Sequence, residues 1–104
     1  MAMIEAVSVA TGDERRVEVA AAPDGVRVAI REKRRGTVMA GVTVPADGLM
    51  TVLSEQPAGS QVIAGEGGEL DVEIRRNEVW LSTGGADAAV GLDDLMDALA
   101  AVAG

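Results

Sequence analysis

The nine basic residues are the part of this chain best equipped to do chemistry: Arg15, Arg16, Arg27, Arg31, Lys33, Arg34, Arg35, Arg75 and Arg76. A guanidinium fork can pair two phosphate oxygens at once, and several such contacts gain affinity by releasing condensed counterions. If residues 26–31 form a strand, Arg27 and Arg31 lie on one face and can meet the same phosphate backbone. Trp80, the only aromatic residue, follows Arg75 and Arg76 across a turn. It could stack a base, a contact worth roughly 1–3 kcal/mol. Each group also has a plain structural reading. The arginines could form a solvated strand face and hairpin tip, balanced across strands by Glu18, Glu32, Asp71 and Glu73. Trp80 could anchor a core or a dimer interface.

Other chemistries have little to work with. There is no cysteine and no histidine, so thiolate and imidazole metal sites are excluded and the usual general base is missing. Ser8, Ser54, Ser60 and Ser82 therefore lack an activating partner, and the chain is expected not to be an enzyme. Asp87, Asp93, Asp94 and Asp97 form an acidic set that hard cations would favour. However, Asp93 and Asp94 fall where a helix N-terminus attracts negative charge, and Asp97 falls on a polar helix face. No metal or cofactor is expected. The pairs Gly67-Gly68 and Gly84-Gly85 lack the lysine and strand–helix context of a phosphate loop, and they read as hairpin turns.

The elements that must carry these residues are legible as short alternating runs. Met3–Ala10, Val17–Ala21, Val26–Arg31 and Val38–Val44 read as strands separated by Thr11–Glu14, Pro23-Asp24-Gly25 and Glu32–Gly36. Val26, Val28 and Ile30 alternate with Arg27, Ala29 and Arg31, the cleanest period-two pattern in the chain. Pro45 ends the fourth strand, and Asp47 is expected to cap a helix whose stripe is Ala46, Leu49, Met50 and Leu53. Pro57–Ser60 is a connector. Gln61–Ala64, Leu70–Arg75, Val79–Ser82 and Ala86–Val90 then read as strands. A final helix starts near Asp93 with Leu92, Leu95, Met96, Leu99 and Ala103 on one face.

Two stretches look like one unit written twice, Val44–Leu53 and Val90–Leu99. Each runs from a strand-ending valine through an aspartate to a Leu-Met stripe, which points to an internal repeat. The expected fold is therefore α+β: two ββββα repeats with curved antiparallel sheets and two helices packed on one side. The 104 residues form a single domain (1–104), with pseudo-repeats 1–56 and 60–104. Apolar residues make up 48%, enough for a globular core, but with no Phe or Tyr that core must be built from small aliphatics. The net charge of −8 is uneven: residues 15–35 hold seven of the nine basic residues, so one basic surface is expected on an acidic body. No signal-like leader or membrane-length apolar run is visible, which reads as a cytoplasmic protein with no membrane partner.

Over Val26–Leu53 a basic strand end (Ile30 to Gly36) precedes a strand, a Pro-Asp step and a helix. With the element order, this resembles the PUR-repeat and Whirly proteins and the related transcriptional coactivator PC4. The resemblance implies single-stranded nucleic acid bound on a curved sheet face, and homodimerisation. Carried onto this chain, the binding residues are Arg27, Arg31, Lys33, Arg34, Arg35, Arg75, Arg76 and Trp80. The expected function is a small non-enzymatic binding protein for single-stranded DNA or RNA. The alternative is a homodimeric protein–protein interaction module with no nucleic-acid role.

Overall fold

The computed structural model describes residues 1–103, with Ala103 described for its backbone alone. The chain runs β1 (Ala2–Val7), β2 (Glu14–Ala22), β3 (Gly25–Glu32), β4 (Val38–Val44), α1 (Ala46–Glu55), β5 (Ser60–Gly65), β6 (Gly68–Arg75), β7 (Glu78–Thr83), β8 (Ala86–Gly91) and α2 (Leu92–Ala103). The expected pair of ββββα repeats with their own curved sheets is not what these elements build. All eight strands belong to one antiparallel sheet in the order β4-β3-β2-β1-β8-β7-β6-β5. The first and last strands meet at its centre, where Val7 pairs with Ala89. The outer strands, β4 and β5, curl towards each other until Thr43 and Glu66 exchange two backbone hydrogen bonds of 3.1 and 2.8 Å. The result is a nearly closed barrel.

Side-chain size explains the curling. The inward positions of neighbouring strands are filled by Val17, Val19, Val26, Val28, Ile30, Val42, Val44, Leu70, Val72, Val79, Leu81 and Val90, all buried. None is aromatic, so the sheet alone cannot fill the volume it encloses. The helices do so with Leu49, Leu53, Leu95 and Leu99, each fully buried in one continuous core. Helix α1 is not capped as the sequence suggested. Pro45 is its N-cap residue, no side chain bonds the first turn, and Asp47 lies within that turn. The carboxylate is left to act through the helix dipole. At the other end Gln56 takes a left-handed conformation, and its amide donates to the Val52 carbonyl at 2.9 Å.

The barrel seam is tight on one side and open on the other. At Gly65 a Cβ atom would collide with the Thr43 carbonyl, so only glycine lets the edges approach there. The antiparallel register that opposes Thr43 to Glu66 would next oppose Pro45 to Ala64. Proline has no N–H to donate, and here it turns the chain into α1. Closure therefore stops after one bridge. Gly65→Ala is expected to cost about 1–3 kcal/mol by overpacking. In the same variant, hydrogen exchange at the Thr43 amide should quicken while the far-ultraviolet spectrum persists. Unchanged exchange at Thr43 would contradict this account of the seam.

Candidate functional site

Because the helices fill the concave side, every outward strand position lies on the convex face. The sheet splits the eight residues of the expected nucleic-acid surface into two groups, with β2, β1 and β8 between them. Arg27, Arg31, Lys33, Arg34 and Arg35 lie on β3 and its hairpin, and Arg75, Arg76 and Trp80 lie on β6 and β7 or their turn.

In the first group, the outward register opposes Arg16 to Arg31. Arg31 is held by two contacts: its Nε donates to Glu18 Oε1 at 2.7 Å, and its Nη1 donates to the Gly36 carbonyl at 2.6 Å. Glu18 is buried, so this pair is a structural clamp between β2 and the hairpin. Arg27 lies flat over Gly41, where a Cβ atom would press on its guanidinium. Lys33 Nζ stands 3.4 Å from Glu5 and 3.6 Å from Glu14. Arg34 and Arg35 are exposed in the turn. Among the described residues, Arg27, Arg34, Arg35 and Arg76 have no carboxylate within ion-pair distance.

The second group is built around Trp80. Val79 and Leu81 point inward, which turns the indole out. Its ring carries the Arg75 guanidinium 4.2 Å above the centroid, and its Nε1 donates to Glu78 Oε1 at 3.0 Å. Arg75 is also paired with Glu73. The Arg75 hydrogen bond, with one from Ser60, holds the Glu73 carboxyl below its ordinary range. Trp80 is thus a half-buried surface residue with one face already covered by a cation. Arg76 sits in the following turn with a left-handed φ of 59°.

The acidic set disperses. Asp93, Asp94 and Asp97 are on α2, and among the described residues no three potential ligands are placed to hold a metal ion. Asp87 does something the sequence did not announce. From the convex face of β8 it accepts the Ser8 hydroxyl at 2.8 Å and the amides of Val9 and Ala10 at 2.6 and 3.1 Å. Ser8 Oγ in turn accepts the Thr11 amide at 3.2 Å. One carboxylate therefore pins the β1–β2 loop to the last strand, using residues nearly eighty positions away in sequence. Desolvation raises the Asp87 carboxyl, but the Ser8 hydroxyl, the two amides and nearby Arg15 outweigh it, and the group titrates below its ordinary 3.8.

A second feature is an edge of the sheet, which no single residue type marks in the sequence. Strand β5 (Ser-Gln-Val-Ile-Ala-Gly) contains no charged residue and no proline, and it closes one side of the sheet. Its Val62 is 58% exposed, the most exposed large apolar side chain after Met1. Among the described residues no helix is long and apolar enough to cross a membrane.

Compared with known proteins, the chain matches no family model, no curated sequence and no solved structure.

The lowered Asp87 carboxyl sets a direction for pH dependence. Its ionised form is favoured by folding, so its contribution is fully present above 3.8 and fades as pH falls below that value. Asp87→Asn should therefore lose about 1–2 kcal/mol near pH 7, the worth of charge-assisted hydrogen bonds at a half-buried group. The gap between variant and wild type should narrow as acid protonates the native carboxyl. Urea midpoints measured across that range test this; a gap independent of pH would refute the ionised clamp.

Proposed function

We propose that the chain is a small non-enzymatic binding module whose partner is a protein, received as an extended segment along the open edge of β5. The observation that carries this reading is the edge itself. Exposed strand edges are normally blunted by lysine, proline or a bulge, because their free N–H and C=O groups template pairing. Strand addition to such an edge is a recurrent way for domains to bind peptides. Here a hairpin carrying none of those guards forms one border of the sheet. The convex face supports the same reading, since Arg31, Lys33 and Arg75 are engaged by carboxylates of their own chain. A chain with no histidine or cysteine to activate a hydroxyl fits a role without catalysis. A cytoplasmic location belongs to the same proposal and accords with the absence of cysteine.

The test is a comparison of partners captured by the wild type and by Val62→Pro, which removes an outward donor from the edge. Proteins retained by the wild type and lost by the variant would support the reading and identify the partner; identical sets would end it.

A second reading, single-stranded nucleic-acid binding, is favoured by Arg34 and Arg35, which stand exposed and unpaired at one hairpin tip. It requires a labelled oligonucleotide to bind at low salt, with affinity falling steeply as salt rises. Arg34→Ala with Arg35→Ala would then weaken binding by about tenfold or more, two phosphate contacts being lost. An oligonucleotide that fails to bind even at low salt would remove this reading.

A further inference from the structure

We infer that the segment taken up by the β5 edge is basic, with cationic and apolar side chains in alternation. The inference rests on the protein-binding reading above and specifies the partner's chemistry. It follows first from the direction of the backbone. Glu66 turns its N–H and C=O away from β6 to bond Thr43. Residues two apart in a strand face the same way, so Ala64, Val62 and Ser60 present their backbone groups to the same open side. Pro45, opposite Ala64, ends β4 before it can cover them.

Charge then selects the occupant. From Gly36 to Ile74 the chain carries no lysine or arginine, yet it holds Asp47, Glu55, Glu66, Glu69, Asp71 and Glu73. Three of these form a row directly behind the edge: Ser60 pairs with Glu73, Val62 with Asp71 and Ala64 with Glu69. The β5 side chains in front of that row are small. A strand added beyond β5 would lie about 4.8 Å further out, so a lysine or arginine on its outer face can lay its stem over Ser60, Val62 or Ala64 and reach the carboxylates behind. Glu73 is engaged by Arg75 and Ser60, whereas Glu69 and Asp71 have no ion-pair partner among the described residues. Asp71 also borders a groove of about 360 Å³ shared with Trp80, Ser82 and Asp87, which offers space for an ammonium head. On the inner side, Gln61 and Ile63 are only half-buried, and the alternate residues of the guest would cover them. A second copy of this chain suits the edge poorly, since its β5 brings no cation and its own row of acids.

The experiment uses the intact protein and fluorescent peptides of about eight residues, a typical strand length. One alternates lysine and valine, one alternates threonine and valine, one alternates glutamate and valine, and one holds lysines and valines in separate blocks. The alternating lysine peptide should bind, and at least about tenfold more tightly than the threonine and glutamate peptides. Glu69→Gln with Asp71→Asn should weaken it about fivefold to tenfold, two cross-strand charge pairs being removed. Val62→Pro should abolish binding without changing the melting temperature, because that N–H lies outside the β5–β6 ladder. If threonine and lysine peptides bind equally and both fail with Val62→Pro, the edge is a peptide site but not a basic one, and the inference alone falls. If Val62→Pro leaves binding intact, or the block peptide binds as well, strand addition is refuted together with the proposed function. A doubled mass by light scattering that Val62→Pro returns to monomer would make a second copy the occupant and overturn the inference.

Discussion

Leu49 and Leu53 of α1 and Leu95 and Leu99 of α2 are withdrawn completely from solvent inside the curved sheet. The inner face of that sheet is lined by valine, isoleucine, leucine and alanine, which are too small to meet across the space they enclose. The helices must therefore enter, and the sheet must wrap around them to cover their apolar stripes. This mutual filling consumes the concave surface. Anything the protein binds has to use the convex face, the hairpin tips or the sheet edges, and that restriction reorders the candidates seen in the sequence.

Half of the arginines, Arg15, Arg16, Arg31 and Arg75, meet carboxylates of their own chain. Arg31 with Glu18 and Arg75 with Glu73 are cross-strand or same-strand pairs that stabilise the sheet surface and leave less charge for a polyanion. The edges tell a different story. Pro45 ends β4 one step after the Thr43–Glu66 bridge, so the barrel has a seam that is tight at Gly65 and absent beyond it. An edge that cannot be closed from within is left without the charges that usually protect one. The row of acids behind it sets the electrostatic character of that side of the molecule.

Local elements were largely legible in the sequence, because alternation and turn residues are local signals. The run Val26–Arg31 became β3, and Val38–Val44 matched β4 residue for residue. What failed were inferences across distance. Similar strand-to-helix stretches suggested two ββββα repeats with curved sheets, but nothing local to Val7 or Ala89 announces that they pair and fuse the halves into one sheet. Trp80 was ambiguous because it sits between two apolar residues; only the depth of Val79 and Leu81 resolves which way it points. Asp47 looked like a cap because capping preferences are statistical, whereas the backbone at Pro45 already starts the helix. The Asp87 clamp was invisible for the same reason as the Val7–Ala89 pair. Its partners lie at the opposite end of the chain.

The central join of β1 to β8 also bears on how the molecule comes into being. During synthesis the first four strands and α1 emerge long before β8, yet β1 has a neighbour on one side only until Ala89 is available. The early half must wait with an unfinished border and an unfilled hollow, since α2 arrives last of all. Such a distant pairing carries a large loop-closure cost, which places it among the slow steps of folding. The nascent chain is thus most vulnerable at the strand that ends up in the middle of the finished sheet, while the edge left open in the finished protein belongs to a hairpin whose pairing is local in sequence.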